Sequence, residues 1–328
     1  VSDYILLTGG NGFVGSHVAE ALLAGGHRVR CLLRPHSSPQ WIETLPVDIK
    51  RADYSDAQAL RKALEGCQAI LHFGGATKAP DPGAYLRANA STTQSLLEAA
   101  AATIPQLKLF LLCSSQAALG PSPSLDPLSE DAPPQPITAY GKSKLAAEKI
   151  CREYDGRFPL VILRPPAVYG PRDRDILIFF KLIRWWLSPT IGSQDRFFSL
   201  AHVRDVAQIT RSILDQFNAG FRIYHVTDGA IHRWQEVADT IAQVLHRRPI
   251  KFHVPMGLAV AASRLISKWS NVAGRVATLN REKLDDLLQK YWLISSRRAE
   301  TELGYAPQYD LQSGVEMTAR WYEEKGWL

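Results

Sequence analysis

The chain is poor in sulfur: 328 residues hold two methionines and four cysteines. Cys31, Cys67, Cys113 and Cys151 stand far apart with no metal-type pairing, and three lie in or beside apolar runs. That pattern excludes a disulfide framework and a cysteine metal site, and leaves buried, reduced thiols in a cytoplasmic protein. Long apolar runs are also missing. Ile176–Leu187 is interrupted by Lys181 and Arg184, and Met256–Ile266 by Arg264, so no transmembrane helix is expected. Lining a pocket is the preferred role for these two stretches, ahead of peripheral contact with a membrane surface. The first residues, Val1 to Leu7, lead directly into a strand pattern, which argues against a signal peptide. The net charge is +6, yet no run of Lys and Arg is long enough for a nucleic-acid arm. The His246-Arg247-Arg248 cluster suits a helix end. There is no internal repeat and no low-complexity segment.

What is present is a rhythm of solid apolar runs alternating with helical patterns. Tyr4–Thr8, Val29–Leu33, Ala69–Phe73, Leu107–Cys113 and Leu160–Leu163 read as buried strands. Ala57–Leu64, Tyr85–Ala101 and the segment from Gly141 onward read as helices between them. Strands without polar alternation belong to a parallel sheet covered on both faces. The fold class is therefore α/β: a doubly wound parallel sheet with a smaller, mostly helical C-terminal substrate cap. The expected division gives residues 1–170 to the dinucleotide-type domain, with 199–228 returning to it, and residues 171–198 and 229–328 to the cap. In that second half, Ile176–Leu187, Asp205–Phe217, Trp234–Leu245 and Met256–Trp269 read as helices, and Phe197–Val203 and Tyr224–Val226 as strands.

The first strand runs into Gly9-Gly10-Asn11-Gly12-Phe13-Val14-Gly15 and then a helix, the context a dinucleotide fingerprint requires. Gly9 permits the tight turn, Gly12 lets backbone approach a pyrophosphate, and Gly15 lets the helix pack on the sheet. Free N–H groups at Phe13 and Val14 face the phosphates with the positive end of the helix dipole. The acidic residue expected after the second strand, for a ribose 2′-hydroxyl, is missing: Leu33-Arg34-Pro35-His36-Ser37-Ser38 stands there. A guanidinium matches a 2′-phosphate, so Arg34 favours NADP(H), with NAD(H) as the alternative. Asp53, after the third strand, is a candidate for the adenine edge, or else a helix N-cap.

A second constellation lies at Tyr140 and Lys144, four apart at a helix start and so on one helix face. An ammonium beside a phenol favours phenolate and brings its pKa from ~10 toward the range of an acid/base catalyst.

With both motifs in place, the chain resembles the extended short-chain dehydrogenase/reductase superfamily (NAD-dependent epimerase/dehydratase type), a Rossmann fold. The likeness extends to Leu71-His-Phe73-Gly74-Gly75, Asn89, Leu111-Leu-Cys-Ser114-Ser115 with Gly120, Leu163-Arg-Pro165-Pro166-Ala167-Val-Tyr-Gly-Pro171, and His202-Val-Arg-Asp205. The resemblance implies that Tyr140 exchanges a proton with the substrate oxygen while the nicotinamide exchanges a hydride with the adjoining carbon. It also implies that Lys144 acidifies the phenol and binds the nicotinamide ribose, and that Ser115 holds the reacting oxygen, with Ser114 as runner-up. Phe73, Gly74, Gly75, Asn89 and Pro166 are implied to shape the cofactor site, and His202 and Asp205 to brace the cap. A homodimer through the helices at Tyr85–Ala101 and Gly141–Tyr154 is implied in the same way.

Departures from the family's patterns narrow the reaction. Gln116-Ala117 replaces the Asp-Glu pair of the sugar-nucleotide dehydratases. Ala167 and Phe198 stand where many epimerases carry Asn and a diphosphate-binding Arg. With an apolar cap segment at 176–187, the pattern is closest to the 3β-hydroxysteroid dehydrogenase and dihydroflavonol reductase relatives. The expected activity is NAD(P)(H)-dependent oxidoreduction of a secondary alcohol or ketone on a largely apolar small molecule. The alternatives are a nucleotide-sugar 4-epimerase, with Arg172, Arg174 or Arg196 on the diphosphate, and a non-catalytic NADP-sensing regulator.

Overall fold

The computed structural model describes residues 3–192, 194–255, 257–258, 260–261, 286 and 288–328. Its centre is a seven-stranded, all-parallel sheet. The strands are β1 (Tyr4–Thr8), β2 (Arg28–Leu33), β3 (Asp48–Arg51), β4 (Cys67–His72), β5 (Leu109–Cys113), β6 (Leu160–Arg164) and a late strand, Phe221–His225. In space they run β3-β2-β1-β4-β5-β6, with the late strand at the far edge. The order reverses between β1 and β4, and ligands of open α/β sheets bind beyond the strand C-termini at such a switch point. The sheet is a Rossmann-type sheet with a smaller C-terminal region, as the alternation of strand and helix in the sequence requires.

Two apolar layers cover it. One packs α1 (Phe13–Ala24) and a helix at Val203–Gln216 over Ile5, Leu7, Val29, Cys31, Leu109, Leu111 and Leu163. The other packs α2 (Ala57–Leu64) and a helix at Thr92–Thr103 over Leu6, Leu32, Ile70, Phe110, Leu112 and Ile162. Successive strand residues alternate between these layers, which is why the strands are apolar throughout.

Between these lie α3 (Pro82–Leu86), a single π-helical turn at Arg87–Ser91, α4 (Thr92–Thr103), α5 (Gln116–Leu119) and α6 (Ala139–Arg152). The single helix expected over Tyr85–Ala101 is thus three pieces, with the wide turn centred on Asn89. Such turns inside helices are frequent at functional sites.

The remaining elements are β7 (Ala167–Tyr169), α7 (Leu177–Arg184), β8 (Leu187–Ile191), β9 (Phe197–Phe198), β10 (Leu200–His202), α8 (Val203–Gln216), the edge strand β11 (Phe221–His225), β12 (His232–Arg233), α9 (Trp234–Val244), β13 (Ile250–Val254), β14 (Tyr291–Trp292), α10 (Arg297–Leu303) and α11 (Leu311–Glu324). Three elements differ from expectation. The helix predicted to reach Leu187 ends at Arg184, because Trp186 takes a positive φ of 64° and the chain continues into β8, paired with β13. The strand predicted over Phe197–Val203 is divided: β9 joins β12 and β14, whereas β10 pairs with β7. Part of the span assigned to the cap packs on the sheet layer, since α10 lies on β11 and α8, and Ala299 and Leu303, with Tyr305 just beyond the helix, join the core there. The helix expected over Met256–Trp269 lies almost wholly outside the described residues.

The cap core is built by α7, α9 and α11, through Phe180, Ile183, Val237, Ile241, Val315 and Tyr322. Asp205 fastens the C-terminal segment to the sheet, its two carboxylate oxygens accepting from the Gln308 and Tyr309 amides at 2.9 and 3.3 Å. His202 is buried between the rings of Tyr169 and Tyr309.

Candidate active site

The turn after β1 is built around its glycines. Gly9 has φ 71°, and a Cβ there would stand 2.6 Å from the Phe73 carbonyl. Gly15 packs on the Gly9 carbonyl with no room for a side chain. Gly12 differs: it is exposed, and its Cβ would meet only the Gly9 oxygen, at 3.2 Å, before entering the space in front of the turn. Gly12 is the N-cap of α1 with extended backbone and no side-chain cap, and the first turn carries no acidic residue. An uncapped helix end behind a turn cleared of Cβ atoms is a binding surface for anionic oxygens.

The turn is tied to its neighbours. Thr8 Oγ1 lies 2.6 Å from His72 Nδ1 and accepts from Gly74 N at 2.9 Å, joining the ends of β1 and β4. Asn11 donates to the Ser38 carbonyl, closing the Gly-rich turn onto the segment after β2. In that segment a single nitrogen of Arg51 donates to the carbonyls of Arg34, Pro35 and Ser37. The Arg34 side chain is exposed, in the electrostatic range of Asp53 and Tyr54. Asp53 Oδ1 accepts from Ser55 N and Oγ, forming a local turn that holds the carboxyl below the usual carboxylate range. The cap of α2 is Asp56, three residues on.

The acid/base constellation is assembled at the C-terminal ends of β4, β5 and β6. Thr138 caps α6 by accepting from Gly141 N, which sets Tyr140 in the first turn and Lys144 one turn later. Ser115 hydrogen-bonds the Tyr140 phenol. The two serines after β5 are therefore separated by the structure. Ser114 is buried and donates to Glu148 Oε1 at 2.5 Å, away from the phenol, while Ser115 faces Tyr140. Glu148 is also held by Arg164 at 2.9 and 2.6 Å, a buried bidentate pair that pins α6 to β6.

Electrostatics at Tyr140 differ from the expectation. Burial pushes the phenol above its ordinary range, the Ser115 hydrogen bond opposes that shift, and Cys113, Tyr85 and Asp286 add to it. Lys144, one helical turn on, is buried as well. Its Nζ donates to the Cys113 carbonyl at 2.8 Å, and its own pKa is lowered, chiefly by burial. The amine is turned to the carbonyl at the end of β5.

Asn89 behaves as a clamp. Its Oδ1 accepts from Ala76 N, and its Nδ2 donates to Ala76 O and to Ser143 Oγ, which in turn donates to Tyr140 O. The amide joins the Phe73-Gly74-Gly75 segment to α6, and a Cβ on Gly75 would collide with it at 2.5 Å. Pro165 is buried and accepts from Gln116 N, and Pro166 beside it is buried as well.

The cap side is aromatic. Phe198 lies 6.2 Å from the Trp234 ring, which also meets Phe179 at 4.3 Å. The three arginines considered for a diphosphate are engaged elsewhere: Arg172 with Glu20 and Ser16, Arg174 over the Trp327 ring, and Arg196 with the Ile191 carbonyl at 2.5 Å. Of the 176–187 segment, Ile178, Trp185 and Trp186 are 53%, 68% and 52% exposed, and Phe180 and Ile183 are buried. Sequence reading missed Thr8, His72 and Tyr54, whose hydrogen bonds shape the crevice floor. A hydroxyl closing β1 and an imidazole closing β4 were the available signals.

Residues 5–227 match the family described as NAD dependent epimerase/dehydratase family, and the chain belongs to it. It is an enzyme of that family, an oxidoreductase or epimerase with an NAD(P) cofactor expected. The chain is similar to a ceramide reductase of Caulobacter vibrioides, 28% identical over 325 residues covering 99% of this chain and 96% of that one. It is also similar to N-acetyl-alpha-D-glucosaminyl-diphospho-ditrans,octacis-undecaprenol 4-epimerase of Escherichia coli, 24% identical over 331 residues, 98% and 96% of the two chains. Among solved structures, UDP-glucose 4-epimerase of Thermotoga maritima superposes with a TM-score of 0.79 over 98% of this chain and 99% of that one, at 19% identity. That likeness is one of fold.

Proposed function

We propose that the chain is an NADP(H)-dependent reductase of a ketone, or dehydrogenase of the matching secondary alcohol, on a largely apolar molecule. The observation that carries this reading is the pairing of a protonated Tyr140 held by Ser115 with an aromatic cap side whose nearby arginines are all engaged. The ceramide named in the reductase relative is an apolar substrate of the kind intended. The uncapped amides at Phe13, Val14 and Gly15 would hold the pyrophosphate, Arg34 the 2′-phosphate, and Lys144 and Pro166 the nicotinamide end. Once bound, the nicotinamide supplies the hydride chemistry at the carbinol carbon.

The chain's own residues then handle the proton. In the reducing direction negative charge develops on the carbonyl oxygen. Tyr140, kept protonated by burial, delivers its phenolic proton there, and the Ser115 hydroxyl holds that oxygen in line. The buried Lys144 ammonium, two of whose three N–H groups remain after the bond to Cys113 O, steadies the phenolate left behind. Asn89 and the Glu148–Arg164 pair position the helix that carries both groups.

Epimerisation of a nucleotide sugar is the second reading, supported by the epimerase among the relatives. It needs a diphosphate site that Phe198 and the engaged arginines do not supply. Retention of Tyr140 and Lys144 weighs against a purely sensing role. The test is NADPH consumption with long-chain ketones, including the keto form of a ceramide, against conversion of UDP-hexoses. Ketone reduction that falls by about a hundredfold or more in Tyr140→Phe supports the proposal; UDP-hexose epimerisation without ketone reduction overturns it.

A further inference from the structure

The two-stranded ribbon of β8 and β13 gathers its apolar residues on one face and leaves several of them exposed. In its register Leu187 pairs with Ile250 and Pro189 with Phe252, so these four share one face, and Ser188 and Lys251 share the other. Ser188 of the polar face is buried, while Lys251, itself half-exposed, reaches Asp239 of α9 at 2.7 Å along the surface. On the apolar face Ile250 is 68% and Phe252 40% exposed.

The same surface continues onto α7. Ile178 and Trp185 are seven residues apart and lie on one helix face with Lys181 between them, and Trp186 follows at the helix end. Trp186 is fixed there by the Arg247 guanidinium over its ring at 5.4 Å, and its carbonyl accepts from Ile250 N. The Ile250–Trp186 backbone bond sets the two exposed indoles next to the exposed edge of β13, and exposed apolar side chains gathered in this way mark interaction sites more often than isolated ones do.

Cations border it. Arg184, Arg247 and Arg248 have no carboxylate partner among the described residues. Arg184 and Arg247 line a cleft of about 310 Å³ with Leu245, Glu323 and Leu328. Indole rings flanked by arginines suit the boundary between phospholipid headgroups and acyl chains. A second copy of the chain is a poorer occupant, because a two-fold contact through this face sets the basic rims of both copies against each other. No helix among the described residues is long and apolar enough to cross a membrane.

We propose that the face formed by β8, β13 and the outer side of α7 docks the enzyme onto the surface of an anionic lipid bilayer. The inference concerns a surface separate from the proton-transfer residues and holds whichever substrate reading is right.

The experiment is co-sedimentation of the full chain with vesicles of phosphatidylcholine alone and with about one third phosphatidylglycerol, a content at which each basic residue near the surface contributes measurably. Wild type is expected to sediment with the anionic vesicles and to be released by high salt. Arg184→Ala with Arg248→Ala should weaken partitioning roughly twentyfold, from about fivefold per cation. Trp185→Ser with Ile250→Ser should weaken it by about tenfold or more. Thermal melts and NADPH binding, unchanged in both pairs, show that the variants are folded. No sedimentation of wild type, or sedimentation indifferent to both pairs, overturns the proposal. So does sedimentation without vesicles that disappears in the tryptophan pair, which assigns the face to self-association.

Discussion

Ser114 and Ser115 are adjacent, carry the same hydroxyl, and are expected to fail in opposite ways. Ser114 donates to a carboxylate that is itself buried and locked to Arg164. Replacing it with alanine removes a hydrogen bond to a charged acceptor and leaves part of Glu148 without a donor, a loss of about 1.5–3 kcal/mol. For a chain of this length that lowers the melting temperature by roughly 2–4 °C, while the folded fraction keeps its turnover. Ser115 faces the phenol, and besides that contact it only accepts from Ala117 N at 3.1 Å as the cap of the four-residue helix α5. Ser115→Ala therefore costs about 1 kcal/mol of stability at most, through the lost cap. Its main effect is on chemistry: one donor aimed at the developing oxyanion is worth a factor of about 10² to 10³ in kcat. The assay is paired: thermal melting for both variants, and single-turnover NADPH oxidation on a ketone that wild type reduces. A Ser114→Ala protein with normal melting and lost turnover, or a Ser115→Ala protein with normal turnover and lowered melting, refutes the assignment.

Two further outcomes follow from the same geometry. Arg34→Ala is expected to weaken NADPH by roughly tenfold or more and leave NADH unchanged, as loss of a charge-assisted contact to a 2′-phosphate requires; fluorescence titration reads it, and a preference for NADH untouched by the substitution sinks the NADP reading. Acid should unfold the protein through its buried imidazoles. Burial lowers His17 to about 4, and His72 and His202 to about 3, from the ordinary imidazole value of 6.5. The fold favours the neutral rings, so their contribution is complete above about pH 6.5 and is lost as pH falls toward those values, by a few kcal/mol each. Asp205, raised to about 6 by burial, acts in the opposite sense, its protonated form being favoured, and offsets part of the loss between about pH 4 and 6. Melting temperature followed from pH 7.5 to 4.5 should fall steeply in wild type and less in His72→Asn; equal slopes contradict the argument.

The parts of this molecule that were legible in the sequence are those where one residue type answers one local demand. Gly9 and Gly15 stand where a Cβ collides with backbone, and Tyr140 and Lys144 are one helical turn apart, so spacing alone placed them. The crevice floor was harder to read. Thr8, Tyr54 and His72 meet across β1, β4 and the loop after β3, and only the strand order brings them together. The direction of Lys144 was unreadable for a related reason. Sharing a helix face with Tyr140 fixes where its Cβ points, but a four-carbon chain with a buried ammonium goes to the strongest acceptor within reach, the carbonyl at the end of β5.

The segment from Ile176 to Leu187 shows how an apolar pattern can be legible while its placement is not. Its hydrophobicity exceeds what one buried helix face needs, and sequence offers two outlets for the surplus, an internal cavity or the outside. Phe180 and Ile183 satisfy the core, and the positive φ at Trp186 then swings the chain into β8, whose partner β13 is more than sixty residues away. That distant pairing sets Leu187 and Ile250 on one face. β8 and β13 alternate apolar with polar residues, and the apolar set includes the exposed Ile250 and Phe252. Under the docking proposal the arginines on the rim decide between occupants, because phospholipids combine negative charge with apolar chains and a second copy of this surface does not.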